Sequence, residues 1–514
     1  MAENTVNLTI EGRPVSVPAG TSILEAAKTA GVLIPHYCYH SGLPVAGVCR
    51  MCLVEVEKMP KLAPACATTV GEGQVVHVYS EKALEARKGV LEFLLINHPL
   101  DCPICDQSGE CELQDYTFAE GRADSRYREP KRFDPAEDFG GDVLYVKNRC
   151  ILCTRCVRFM DDVHETTALA VVERGDRAFI GKAPDADLTQ PWAANVVDLC
   201  PVGALLSKDF LNKARAWELD RTASVCTGCS QGCNITVEMR DNAVMRFKPR
   251  ANEHVNKFFM CDAGRFSYRD LNRADRLEHP LVAGMAADWE TALAAAAKAL
   301  QGRKAHVVAS PSLSNEALYL LKKLAAKTGA TVRYHVAQGP EAPLPGVDDL
   351  ALRADRAANA TACELFGFTR TDDVLAGLNA GDVVIAAGDV LEGLGADALA
   401  KVGAVIAIGT LRPTTTVATV ALPIATVVEE EGTFTNLRGR VQRFLQAKQA
   451  PGLARPSWYV LADLLASLGE KAGFHTASEA FDALAVGEAP FAGLSYGALA
   501  LSGAVVQGAA AGAK

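Results

Sequence analysis

The side chains best suited to chemistry in this 514-residue chain are its sixteen cysteines, and fifteen of them lie between Cys38 and Cys261. They fall into four sets. Cys38, Cys49, Cys52 and Cys66 follow C-x10-C-x2-C-x13-C within "HYCYHSGLPVAGVCRMCLVEV" and its continuation. Four thiolates with a long first loop suit a [2Fe-2S] cluster, whose two irons need four sulfur ligands, and Gly42 and Gly47 let the backbone come close to it. His98, Cys102, Cys105 and Cys111 follow H-x3-C-x2-C-x5-C in "NHPLDCPICDQSGEC". Three thiolates can hold three corners of a [4Fe-4S] cubane, and the fourth corner needs another donor. His98 is the nearest candidate, although a histidine before a proline reads equally well as a capping or core residue.

Cys150, Cys153 and Cys156 in "CILCTRC", with Cys200 and Pro201 in "VDLCPVGAL", match the C-x2-C-x2-C run and C-P pair of bacterial ferredoxins. Because that Cys-Pro pair is remote in sequence, it most simply completes the same cubane. Cys226, Cys229 and Cys233 in "CTGCSQGC", with Cys261 in "FFMCDAG", make a third cubane-type set. Zinc is the bland rival at the first and fourth sets, but structural zinc usually takes two close cysteine pairs. Cys363 has no neighbouring ligand and reads as an ordinary buried thiol.

Nothing else in the sequence offers catalysis. "GLGAD" at 393–397 is not a dinucleotide fingerprint, no phosphate-binding G-x4-G-K-[ST] occurs, and no nucleophile stands beside a paired acid and base. These residues describe an electron wire rather than a site of bond making.

The elements that must position them follow from periodicity. Residues 4–17 alternate as two strands turning at "EGR", and "TSILEAAKTAGV" gives a helix with its N-cap at Thr21 or Ser22. Strands at "CLVEVEK" and "QVVHVY" close a small mixed sheet around that helix near residue 80. Residues 81–97 have helical spacing, whereas 119–147 is charged and reads as a surface excursion. From about residue 280 short apolar runs ("AHVVAS", "DVVIAAG", "AVIAIG") alternate with helical segments such as "SNEALYLLKKLAAKTG", which predicts a parallel sheet flanked by helices. The closing "GAAAGAK" carries no packing pattern and reads as a flexible tail.

The totals are those of a water-soluble globular protein, with 49% hydrophobic and 22% charged residues. A net charge of -9 argues against a nucleic-acid partner. With neither a signal peptide nor an apolar run of about 18 residues, the expected location is the cytosol, any membrane association being indirect. Cytosolic thiols stay reduced, which favours metal binding over disulfides.

The order of the four sets, with "CDQSGECELQD" and "RCILCTRCVRF" at their centre, resembles the 75 kDa-type iron-sulfur subunit family of bacterial NADH-quinone oxidoreductase, respiratory complex I. The resemblance is close over residues 1 to about 280. It implies a β-grasp [2Fe-2S] ferredoxin domain over 1–80, a cubane domain with one histidine and three cysteine ligands over 81–120, a ferredoxin-like cubane domain over 121–220 and a further cubane domain over 221–278. Residues 279–514, through "DWETALAAAAKAL" and "EEEGTFTNLRGRVQRF", resemble a shortened molybdopterin-oxidoreductase-like α/β domain, non-catalytic and without molybdopterin. In the family the histidine of the second motif is a ligand, which assigns His98 as one.

The implied cofactors are one [2Fe-2S] and three [4Fe-4S] clusters, with electrons entering at the Cys38 set, passing to the Cys150 set and leaving from the His98 set. The Cys226 set resembles a cluster carried off the main path. Implied partners are an FMN/NADH-binding subunit, a small [2Fe-2S] subunit, and ferredoxin-like and quinone-module subunits, in a peripheral arm on the cytoplasmic face of a bacterial inner membrane. The rival readings are an iron-sulfur subunit of a soluble NAD-linked hydrogenase or formate dehydrogenase, a molybdenum enzyme, and a zinc-stabilised scaffold.

Overall fold

The computed structural model describes residues 4–413, 418–470 and 473–508. Residues 509–514, which hold most of the expected tail, lie outside the described residues. The chain divides into two compact units, Met1–Leu219 with Leu344–Asp348, and Asp220–Pro343 with Asp349–Lys514.

The first unit opens with the expected hairpin, Thr5–Ile10 against Arg13–Pro18 in antiparallel register. Val75–His77 runs parallel to Thr5–Ile10, and Leu53–Val56 adds antiparallel to Val75–His77, followed by Ala63–Pro64. The helix Ile23–Thr29 starts at Ser22, whose hydroxyl accepts from the Glu25 amide at 3.2 Å, and buries Ile23, Leu24, Ala26 and Ala27. These side chains share one core with Ile10, Val54 and Val76, and with Cys52 and Cys66. The first cysteine set therefore sits at the edge of a packed core rather than on a free loop.

Helix Glu81–Leu95, capped by Ser80, leads to the second set. Its fully buried Arg87 pairs with Glu120 Oε2 at 2.5 Å and donates to the Leu53 carbonyl at 3.2 Å. That ties the helix to the first sheet and to helix Glu112–Glu120. The stretch 119–147 departs from its expected character at its C-terminal end. Glu137–Gly140 and Val143–Tyr145 join Leu205–Ser207 in a three-stranded sheet. Phe139, Val143 and Tyr145 are completely buried there, so a few apolar residues outweigh a charged neighbourhood.

The second unit starts with a three-stranded meander, Asp220–Val225, Asn234–Arg240 and Ala243–Pro249. The apolar runs after residue 300 then form the parallel core of an eight-stranded sheet. Its order is Thr369–Arg370, Thr331–Tyr334, Ala305–Ala309, Val383–Ala387, Ala404–Gly409 and Val420–Pro423, all parallel, with Leu281–Val282 and Met285–Ala286 antiparallel at the far edge. The chain winds outward one way from Ala305–Ala309 and then returns to wind the other way from Val383–Ala387. This is the doubly wound arrangement, and Ala305–Ala309, Val383–Ala387 and Ala404–Gly409 are buried along their whole length, as a sheet covered on both faces requires. Just past the two central strands the chain packs closely, since a Cβ on Gly388 would come within 2.5 Å of Ser310 Cβ. Among the described residues no helix is long and apolar enough to cross a membrane.

Candidate iron-sulfur sites

All sixteen cysteines are free thiols. In the first set the chain brings all four sulfurs together. The Cys38 side chain lies within hydrogen-bonding reach of those of Cys49 and Cys66, and Cys52 within reach of Cys66. Shared hydrogen bonds from Cys49 and Cys66 hold the Cys38 thiol far below its ordinary range, and the same sharing, reinforced by burial, pushes Cys49 and Cys66 up. The Cys38 amide donates to Cys49 Sγ at 3.4 Å, the kind of N–H···S bond that tunes a sulfur ligand. Gly47 takes φ +65°, a conformation that favours glycine, in the loop between Cys38 and Cys49.

The third set surrounds a cavity. Cys150, Cys153, Cys156 and Cys200 line a small space together with Tyr145, Ile151, Ile180 and Leu205. Leu152 (φ 52°) and Thr154 (φ 59°) are both left-handed, and this alternation turns backbone amides inward, as in anion-binding nests. The Leu152 amide donates to Cys150 Sγ at 3.4 Å. Burial, with Cys200 close by, pushes Cys150 up to about 11 and Cys153 up to about 12. Thiols in so dry a space do not give up protons unless a cation takes their place on the sulfurs, so the donor set fits a cationic iron core, whose binding would release those protons to solvent.

The fourth set belongs to the second unit. Cys226, Cys229, Cys233 and Cys261 are all buried and close enough to perturb one another electrostatically. The Gly228 amide donates to Cys226 Sγ at 3.5 Å and the Gly264 amide to Cys261 Sγ at 3.4 Å. A Cβ on Gly264 would stand 2.9 Å from Cys226 Sγ, so glycine lets the two loops close on the set.

The second set is the most open. Cys105 and Cys111 are buried and Cys102 is exposed, and each of the buried pair feels its neighbours' charges. His98 borders an open groove of about 1740 Å³ whose lining also includes Cys150 and Ile151. Burial, helped by the charges of Lys131 and Arg149, lowers its imidazole to about 4, which leaves the ring neutral. Its Nδ1 is buried without a hydrogen-bond partner. A neutral ring with an unshared buried nitrogen is what ligation needs, so the residue fits the role that spacing alone left open. Among the described residues no group of three or more His, Cys, Asp or Glu is arranged to hold a single metal ion.

Cys363, as expected, is buried in the helix Ala360–Leu365, far in sequence from the four sets. Several residues near the sites carried no signal in the spacing. Tyr145 places its hydroxyl beside the Cys150 thiol. A Cβ on Gly203 would overlap Cys105 Sγ, so the loop after Cys200 lies directly on the second set. The Glu112 amide donates to the Pro201 carbonyl at 3.0 Å, a second link between the same two loops. Arg155 and Arg158, between and after the cysteines of "CTRC", were legible as residues but not as contacts.

Five family models match the chain in the order of these sites. A 2Fe-2S iron-sulfur cluster binding domain matches 3–81 and the NADH-ubiquinone oxidoreductase-G iron-sulfur binding region matches 87–126. The NADH-quinone oxidoreductase subunit 3 ferredoxin-like domain matches 140–206. The molybdopterin oxidoreductase Fe4S4 domain matches 219–273, and the molybdopterin oxidoreductase family matches 396–467. The G subunit of NADH-quinone oxidoreductase from Rickettsia bellii is 42% identical over 340 residues, which is 65% of this chain and 50% of that protein. Over the matched region, this chain is homologous to the NADH-quinone oxidoreductase G subunit. The mitochondrial 78 kDa subunit of NADH-ubiquinone oxidoreductase from Candida albicans agrees, at 44% identity over 336 residues, 63% of this chain and 46% of that one. The chain thus spans about half the length of the curated relatives it matches. A chain from a crystal structure of an NAD+-reducing [NiFe]-hydrogenase is 30% identical, covering 41% of this chain and 90% of its own length with a TM-score of 0.37. The matched models thus describe 2Fe-2S, 4Fe-4S and molybdopterin-oxidoreductase-type regions in order along a mixed α/β framework.

Proposed function

We propose that this chain is the electron-relay subunit of an NADH:quinone oxidoreductase, and that it holds four clusters. The ligands are Cys38, Cys49, Cys52 and Cys66 for a [2Fe-2S] cluster. Those for three [4Fe-4S] clusters are His98, Cys102, Cys105 and Cys111; Cys150, Cys153, Cys156 and Cys200; and Cys226, Cys229, Cys233 and Cys261. Such clusters supply reversible one-electron chemistry, and the chain's own contribution is burial, spacing and hydrogen bonding to the sulfurs. The domain division is 1–80, 81–120, 121–220, 221–278 and 279–514, the last a scaffold without catalysis of its own. The partners are an FMN/NADH-binding subunit, a small [2Fe-2S] subunit, and ferredoxin-like and quinone-module subunits. The complex works from the cytoplasmic face of the membrane.

One observation carries this reading. The loop of Cys200 touches Cys105 through Gly203 and receives a hydrogen bond from Glu112, so two ligand sets are built in direct contact within one unit. Separate zinc sites in a scaffold have no need of that proximity, whereas electron transfer does. The test is anaerobic purification with native partners, followed by iron and sulfide counts, EPR after dithionite reduction, and NADH-dependent quinone reduction. A coloured protein with several EPR signals and turnover is expected. A colourless, zinc-loaded and EPR-silent chain would sink the relay reading, and stoichiometric molybdenum would replace it with the enzyme reading.

A further inference from the structure

Three ligand loops of the first unit converge on one side chain. Arg155, 4% exposed, donates from Nη2 to the Tyr39 carbonyl at 2.8 Å and from Nη1 to the Leu199 carbonyl at 3.3 Å. Both terminal nitrogens also reach the Glu112 carboxylate, at 3.3 Å each. Tyr39 follows Cys38, Leu199 precedes Cys200, and Glu112 follows Cys111, while Arg155 itself lies between Cys153 and Cys156. One guanidinium therefore holds backbone or side chain immediately beside a cysteine of each of the three sets. Arg158, three residues on in the same short helical turn, repeats the device. It donates to the carbonyls of Pro44, Cys38 and Cys153, the last at 3.3 Å.

We propose that Arg155 is the positioning residue of the relay, fixing the three ligand loops in one register and setting a permanent positive charge among them. The proposal deepens the reading above and rests on it. A planar fork with five donors can serve two carbonyls and a carboxylate at once, and a lysine ammonium cannot. Burying that charge is costly unless it is paired, and Glu112 with the two carbonyls supplies the pairing. The same charge is held close to the sulfurs, since Arg155 lies between Cys153 and Cys156 in the chain and donates to the Leu199 carbonyl next to Cys200. A fixed cation beside a thiolate-bound centre favours the state with the extra electron, which raises the midpoint potential.

The test uses the full chain with its partners, purified anaerobically, as wild type, Arg155→Met, Arg155→Lys and Glu112→Gln. The readouts are iron content, EPR-monitored redox titration and thermal unfolding. Arg155→Met should lower the midpoint of the Cys150-set signal and lower the unfolding temperature. Arg155→Lys should keep the midpoint near wild type while still lowering the unfolding temperature. Glu112→Gln, which removes the opposing negative charge, should move the midpoint upward. Shifts of opposite sign distinguish a placed charge from mere packing. If Arg155→Met fails to fold, the lysine and Glu112 variants carry the test. Wild-type midpoints in loaded variants, whether or not the unfolding temperature falls, would overturn the proposal. A wild-type protein without clusters would overturn the relay reading itself, before any variant is compared.

Discussion

At the scale of single residues, the four cysteine sets are legible because most of each set is local. C-x2-C runs place thiols within one turn of chain, and the eye needs no fold to group them. His98 was ambiguous for the same reason in reverse, since one imidazole before a proline has many uses. In the folded chain its Nδ1 is buried without a hydrogen-bond partner, on a ring that burial keeps neutral, which is compatible with ligation. His98→Ala should therefore remove or alter one cubane, with a loss of up to about four irons per chain, and leave the Cys38-set signal intact. An unchanged iron count and EPR spectrum would return His98 to the role of a cap. Arg155 was illegible because its partners lie 43, 44 and 116 residues away, and no local pattern encodes them. For the Cys226 set, which the second unit holds by itself, Cys229→Ser should lower iron content while NADH-dependent quinone reduction largely persists. Collapse of turnover in an assembled complex would put that set on the main path.

At the scale of elements, strong periodicity and capping carried over well. The hairpin, the Ser22-capped helix and the alternating runs of the parallel sheet all stand where their patterns put them. The segment Val143–Tyr145 did not read as a strand, because three residues between charged stretches give too short a window for alternation to register. Its partners, Glu137–Gly140 and Leu205–Ser207, sit on either side of it in the sheet, the second of them pairing Ser207 with Val143 across more than sixty residues of sequence. That strand delivers Tyr145 to Cys150, so the misread element was also the one that hid a site residue. The loop Cys200–Gly203 offers the sharpest test at this scale. In Gly203→Ala the new methyl would overlap Cys105 Sγ and meet Gln107 Cβ at 3.2 Å, and both belong to the second set's own loop rather than to a flexible side-chain end. Overpacking of this kind costs about 1–3 kcal/mol. The expected result is a lower unfolding temperature with a changed EPR line shape for the His98 set. Wild-type values for both would mean the two loops can part without consequence.

At the scale of the whole molecule, composition changes from cysteine-rich to Ala- and Val-rich near residue 280, but the compact units divide at Leu219 and Asp220, so the Cys226 set joins the Ala- and Val-rich part, and Leu344–Asp348 returns to the first unit. What composition concealed is charge inside the second unit. Carboxylates are ordinarily exposed, yet in the run "EEE" at 429–431 Glu429 and Glu430 are buried, as is Glu316. Glu429 is neutralised by a two-pronged pairing with Arg276 at 2.7 and 2.6 Å. Among the described residues Glu316 and Glu430 meet hydroxyl and amide donors rather than a cation, from Thr433 and Ser314 for the first and Ser457 for the second, and burial pushes them up to about 7 and about 8. Both are raised above the ordinary value of 4.5, so the native state keeps protons that the unfolded chain has already released. Their contribution to stability is fully present below about pH 4.5, falls as pH rises through the window up to about 8, and is gone above it. Thermal unfolding of the second unit followed between about pH 5 and pH 9 should show this decline. Glu430→Gln, which keeps an oxygen for the Ser457 amide and cannot ionise, should flatten the profile, matching wild type near the acid end of that range and exceeding it at the alkaline end. A variant no more stable than wild type at the alkaline end would mean that Glu430 ionises freely in the native fold, through water reaching the groove that it lines with Arg455 and His475.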